Sequence, residues 1–166
     1  PLYFRRDRAQ FPRHHGYLRA DCELTAAWRT RLAALGPGLK VGIAWQGGTH
    51  KSRQPVRSLP LARLAPILQS ATAHFVDLQY TDSRAEVDAL RDATGINVHS
   101  WEEVRTDFEE TAALVAALDL VISVCTAVIH FGGALGRPVW VMAPFSPEWR
   151  YGIAGAGMPW YPSVRV

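Results

Sequence analysis

The stretch DLVISVCTAVIHFGGALGRPVWVM, residues 119–142, decides the fold. Leu120-Val121-Ile122-Ser123-Val124 is apolar almost throughout, β-branched at three positions and without polar alternation, which predicts a strand buried on both faces. After one small turn, residues 126–135 read as a helix, and Pro138-Val139-Trp140-Val141-Met142 reads as a second apolar strand. Strand, helix and strand in so short a span form a βαβ unit, whose two strands run parallel through a right-handed crossover.

The same alternation continues outward on the N-terminal side. Leu39-Lys40-Val41-Gly42-Ile43-Ala44-Trp45 predicts a buried strand, residues 61–69 a helix, and His74-Phe75-Val76-Asp77-Leu78-Gln79 a short strand. Residues 84–93 predict an amphipathic helix ended by Gly95, Ile96-Asn97-Val98 a third strand and residues 108–118 a further helix. The order β-α-β-α-β-α-β-α-β predicts an α/β fold, a Rossmann-like three-layer parallel sheet with helices on both faces. Ahead of it, residues 1–16 read as an extended linker. Residues 21–35 form a lead-in helix with Asp21 as N-cap and Gly36-Pro37-Gly38 as its stop. The expected division is therefore a linker and lead-in helix over residues 1–38 and a Rossmann-like unit over residues 39–166.

Composition narrows the function classes. With 48% hydrophobic and 20% charged residues among 166, the chain can bury a core, and one soluble globular domain is expected. It opens at Pro1 without a Met and is expected to be a piece of a longer protein. A net charge of +3 and a pI near 9.2 are mildly basic, with arginines crowded at the front: Arg5, Arg6, Arg8, Arg13, Arg19, Arg29 and Arg31. No nucleic-acid reader fold accompanies them, so they read as a solvated basic segment. Cys22 and Cys125 lack the spacing of a zinc or redox site, and a reducing, cytoplasmic setting is expected. The six His residues form no H-x-x-x-H or H-E-x-x-H pair, so neither a metal nor a cofactor is expected. Asp119 interrupts the longest apolar run, and neither a membrane span nor a signal peptide is expected.

In an open parallel sheet, ligands bind beyond the carboxyl ends of the strands, near the point where strand order reverses. The first strand opens into Gln46, Gly47, Gly48, Thr49, His50, Lys51 and Arg53, with Arg57 and Ser58 after Pro55. Glycines there let backbone N–H groups approach a ligand while the cations attract an anion. Alone, this loop reads equally well as a solvated surface excursion. Ser123, Cys125, Thr126 and Ala127 connect the fourth strand to its helix, whose first amides and dipole suit a diphosphate. Thr126 is expected to cap that helix and donate its hydroxyl to a phosphate. His130 lies one turn deeper on the same face, and Gly132 and Gly133 are expected to serve close packing. Gln79, Tyr80, Thr81 and Asp82 follow the second strand. The fifth is followed by a Pro- and aromatic-rich loop, residues 143–152, that walls a pocket or leads to the tail. Trp149, Tyr151, Trp160 and Tyr161 are expected to be exposed, for packing on another domain or a second copy. There is no G-x-G-x-x-G, Walker A loop, G-x-S-x-G elbow or paired carboxylate motif.

Several of these segments together resemble the C-terminal domain of glycosyltransferase family 9, the ADP-heptose:lipopolysaccharide heptosyltransferases. They are Val41-Gly42-Ile43-Ala44-Trp45-Gln46-Gly47, Arg57-Ser58-Leu59-Pro60-Leu61, Asp107-Phe108-Glu109-Glu110-Thr111-Ala112-Ala113-Leu114 and residues 120–141. The likeness is strongest to the heptosyltransferase-like domains that follow tetratricopeptide repeats in bacterial proteins, and it spans residues 39–166. It implies the C-terminal half of a GT-B glycosyltransferase, in which this domain holds a nucleotide-diphosphate sugar without an obligatory metal. The donor-binding residues implied are Gln46, Gly47, Gly48, Lys51, Arg57, Gln79, Ser123, Cys125, Thr126, Ala127 and His130. Thr126 and His130 match the family's D-T-x-x-x-H pattern, with Cys125 where the family has Asp. The implied function is transfer of a sugar from the nucleotide donor to a protein or glycan acceptor, with no turnover by this domain alone. The acceptor-side base would come from an N-terminal domain outside the sequence. The alternative is a non-catalytic nucleotide-binding or protein-interaction module derived from such an enzyme. An epimerase-like reading is weaker, because no acid/base pair stands out.

Overall fold

The computed structural model describes residues 5–48, 54–70, 72–152 and 155–166. Its centre is a six-stranded, all-parallel sheet in the order β3-β2-β1-β4-β5-β6. The strands are β1 (Leu39–Ala44), β2 (Ala73–Asp77), β3 (Val98–His99), β4 (Leu120–Val124), β5 (Val139–Met142) and β6 (Val164–Arg165). The helices are α1 (Cys22–Ala33), α2 (Ala65–Gln69), α3 (Arg84–Thr94), α4 (Glu103–Thr106), α5 (Phe108–Ala117) and α6 (Ala127–Ala134).

Chain direction explains the layers. From β1 the chain steps outward through β2 to β3, then returns to the other side of β1 and steps through β4, β5 and β6. Right-handed crossovers in opposite directions put helices on opposite faces. On one face α2, its leading 3-10 turn Leu61–Leu64 and α3 cover Val41, Ile43, Phe75, Val98 and Ile122. On the other, α1, α5 and α6 cover Val76, Val121, Val139 and Val164. Continuous apolar strands are required because both faces are roofed.

Several elements differ from the sequence-based expectation: the helix expected over residues 61–69 is a 3-10 turn, Leu61–Leu64, followed by α2, and the short α4 adds a turn outside that expectation. The third strand is Val98–His99, not residues 96–98, since Gly95 (φ 72°) ends α3 and Ile96 still belongs to the turn. A sixth strand, Val164–Arg165, pairs with β5. Its two residues carry no pattern that sequence periodicity can register.

The lead-in is docked against the sheet unit. Asp21 caps α1 by accepting from the Leu24 amide (2.8 Å), as expected, and the helix lays Trp28 and Leu32 into the core beside α5. Trp28 Nε1 donates to Glu110 (2.7 Å). Further upstream, the Tyr17 and Leu18 amides both donate to the Ala134 carbonyl (2.7 and 3.0 Å). His14 bonds the Trp160 carbonyl, and Phe11 packs edge-on against the Trp160 ring. The tail aromatics also depart from the expectation of exposure: Tyr151 and Tyr161 are buried and Trp160 is half-buried, while Trp149 is exposed. Among the described residues, no helix is long and apolar enough to cross a membrane.

Candidate functional site at the strand-order reversal

The order reverses between β1 and β4, so the loops leaving these two strands splay apart and open a crevice at their carboxyl ends. A cleft of about 380 Å³ lies there. Gly48, Arg57, Cys125, Thr126, Ala127 and His130 line it together with Tyr80, Arg150 and Tyr151.

The β1 side is built by folding the loop back on its strand. The Leu59 amide donates to the Trp45 carbonyl (2.8 Å), and Ser58 Oγ bonds both the amide and the carbonyl of Gly47 (3.1 and 3.3 Å). This return places Arg57 beside the β4–α6 turn, where its Nη2 donates to the Cys125 carbonyl (2.6 Å) and its Nη1 pairs with Glu148 (3.1 Å). Gly47 is needed for the close approach. A Cβ there would meet Cys125 O, Thr126 Cγ2 and Arg57 O at 3.1–3.2 Å, so the absence of a side chain lets the two walls touch.

The β4 side presents the N-terminus of α6. Among the described residues, no carbonyl or side chain accepts from the Ala127 and Val128 amides. Their N–H groups and the helix dipole therefore make a positive rim. Thr126 is the N-cap residue, but its side chain makes no cap bond. Its Oγ1 lies 3.0 Å from Ser123 Oγ, whose own proton goes to the Val124 carbonyl (2.7 Å). The Thr126 hydroxyl, expected from sequence to serve a phosphate, thus has a protein partner in Ser123. His130 Nδ1 shares a hydrogen bond with Tyr161 Oη (3.2 Å).

Among the described residues, charge in the cleft comes from three groups. Burial, assisted by Arg150, pulls His130 below the usual histidine range, and burial pushes the Cys125 thiol and the Tyr151 phenol up, so all three are neutral near pH 7. Arg57, Arg150 and Glu148 remain. Glu148 takes both arginines at once, Oε1 facing Arg57 and Oε2 facing Arg150.

Other residues singled out from the sequence sit elsewhere or do other work. The Gln46 side chain turns to Glu86 on α3. Gln79 is buried, its Oε1 accepting from the Trp45 and Gln46 amides (3.0 and 3.2 Å), and thereby closes the end of β1. Ser123 is fully buried, and the Gly47 amide is taken by Ser58. Thr49, His50, Lys51 and Arg53 lie outside the described residues. Glu148, Arg150 and Tyr151 come from the loop over residues 143–152 expected to wall a pocket or lead to the tail, and it does wall the cleft, although none of the three is among the implied donor-binding residues. Their position after the fifth strand, at the same rim, was the available signal. Among the described residues, no group of three His, Cys, Asp or Glu could hold a metal ion.

A second, mostly apolar hollow of about 270 Å³ adjoins the cleft across Tyr80 and Ala127, walled by Leu78, Val104, Phe108, Val128 and Phe131. The site thus pairs a cationic, amide-lined compartment with an apolar one.

Comparison with known proteins agrees with this architecture. No family model matches the chain. Protein FlbA of Caulobacter vibrioides is 34% identical over 157 residues, which are 93% of this chain and 26% of FlbA. Among solved structures, Escherichia coli ADP-heptose lipopolysaccharide heptosyltransferase II superposes with a TM-score of 0.63 at 16% identity, over 89% of this chain and 44% of that one. A family 9 glycosyl transferase of Veillonella parvula gives 0.63 at 14% identity, over 89% and 41%. The E. coli heptosyltransferase WaaC with ADP-2-deoxy-2-fluoro heptose gives 0.51 at 17%, over 84% and 43%. The chain therefore spans about a quarter of its curated relative and less than half of each solved neighbour.

Proposed function

We propose that this chain, which has the Rossmann-like fold of the C-terminal half of GT-B heptosyltransferases, is the donor-binding unit of a glycosyltransferase that uses a nucleotide-diphosphate sugar. One observation carries the reading. Arg57, delivered by the β1 loop, clasps the β4–α6 turn at Cys125 O, next to the Ala127 and Val128 amides, from which no described residue accepts. Backbone donors plus a guanidinium at a helix N-terminus are suited to a diphosphate, and the adjoining apolar hollow is suited to a base. The structural neighbour solved with ADP-2-deoxy-2-fluoro heptose supports an adenine nucleotide as the first ligand to try.

In this reading the chain binds the donor and stabilises the departing diphosphate, whose charge grows as the glycosidic bond breaks. Removing the acceptor proton requires a positioned base near the acceptor hydroxyl. That base, with a protein or glycan acceptor, belongs to a second unit, either an N-terminal domain or another copy, and the isolated chain is expected to bind without turnover. Titration with ADP-, UDP- and GDP-sugars, followed by heat or amide chemical shifts, tests the reading. Binding should weaken about ten- to hundredfold in Arg57→Ala, the worth of a lost charged hydrogen bond of roughly 1.5–3 kcal/mol. Silence with every nucleotide at millimolar concentration would refute it.

Cys125 favours a second reading, a binding or assembly module without chemistry, because a neutral buried thiol stands where the resembled family has a carboxylate. Cys125→Asp and Arg57→Ala separate the two. Affinity altered by both indicates a donor site, and indifference to both a scaffold.

A further inference from the structure

The Glu148 carboxylate lies in the diphosphate compartment itself. Its two oxygens face two guanidinium groups, Arg57 at 3.1 Å and Arg150, which is the arrangement a phosphate would adopt there. Its backbone is held independently of that pairing. Pro144 and Pro147 stiffen the loop after β5, and the Glu148 carbonyl accepts from the Tyr151 amide (3.0 Å), starting the 3-10 turn Trp149–Tyr151 that also delivers Arg150. The side chain is about a third exposed, as is that of Arg150, and Arg57 is a fifth exposed. Ion pairs this wet are weak, so the carboxylate can leave. The same Arg57 keeps its bond to the Cys125 carbonyl through Nη2, so losing Glu148 does not free it to swing away.

We propose that Glu148 is a built-in competitor: a resident anion that neutralises Arg57 and Arg150 in the ligand-free protein and must be displaced when a nucleoside diphosphate enters. The idea rests on the donor-site reading above. Glu148 thus cancels one of the two positive charges that the described residues bring to the cleft, and removing its charge restores it. The acidic side chain therefore lowers affinity for every anion and leaves only those that also satisfy the α6 amides.

Calorimetric titration of the 166-residue chain with ADP, in wild type and in Glu148→Gln, tests this. The variant is expected to bind ADP more tightly by roughly two- to thirtyfold, the worth of two partly exposed ion pairs, and to lose affinity more steeply with added salt. Glu148→Ala, measured in parallel with melting curves for all three proteins, should move in the same direction and serves if the Gln variant folds poorly. Saturating the wild type with ADP should shift the backbone amide resonances of Glu148 and Trp149. Equal or weaker ADP binding in both variants, or unmoved Glu148 and Trp149 resonances in a wild type that does bind, overturns the competitor and leaves the donor site standing. Absence of ADP binding in all three overturns both.

Discussion

Gly47 shows how much one missing side chain decides. Its backbone is not in the left-handed region, so any residue could adopt its conformation. What excludes a side chain is contact: two carbonyl oxygens and the Thr126 methyl lie just over 3 Å from where a Cβ would stand. Gly47→Ala requires the β1 loop and the β4–α6 turn to part by a few tenths of an ångström. It is expected to cost about 1–3 kcal/mol of stability and to weaken nucleotide binding by displacing Arg57, measurable as a lower urea midpoint and a raised dissociation constant. The residues at this rim were legible from sequence by address and less so by role. Gly48, Arg57, Cys125, Thr126, Ala127 and His130 do meet in one cleft. Gln79 and Ser123, equally polar and equally placed at strand ends, instead close backbone and hydroxyl hydrogen bonds inside the protein. A polar residue after a strand satisfies whichever donor is nearest, and that neighbour is set by loop paths that periodicity does not encode.

At the scale of elements, α6 carries the site at one end and the packing at the other. Gly132 and Gly133 face Val139 on β5 and the Tyr161 ring, each too near for a Cβ, which agrees with the packing role expected of them. Gly133→Ala must displace Tyr161 and with it the turn leading into β6. A loss of about 1–3 kcal/mol is expected, read by denaturant unfolding, together with a change at His130, which shares its hydrogen bond with Tyr161. Long apolar strands and the helices between them were legible because burial on both sides leaves an unmistakable run. The short edge strands β3 and β6 were not, since two residues make no period. Docking of the lead-in was equally hidden. It depends on Gly136, whose missing Cβ admits the His15 carbonyl and which itself holds a positive φ of 71°, a match between glycines and backbone that no single segment displays.

At the scale of the whole molecule, the cleft belongs to no contiguous piece of chain. Arg57 and Cys125, which join its walls, stand 68 positions apart and meet only because β1 and β4 are neighbours in the folded sheet. Occupancy and global folding are therefore one equilibrium. A denatured chain has nothing to offer the ligand, so every bound nucleotide withdraws protein from the unfolded pool. At a hundredfold excess over the dissociation constant this adds about 2.7 kcal/mol, expected as a melting point that climbs with nucleotide concentration and that, in Arg57→Ala, begins to climb only at about ten- to hundredfold higher concentration. Destabilising changes far from the rim, even on the opposite face beneath α3, should consequently register as weaker apparent affinity once the native population falls: the sheet's integrity is itself a binding determinant.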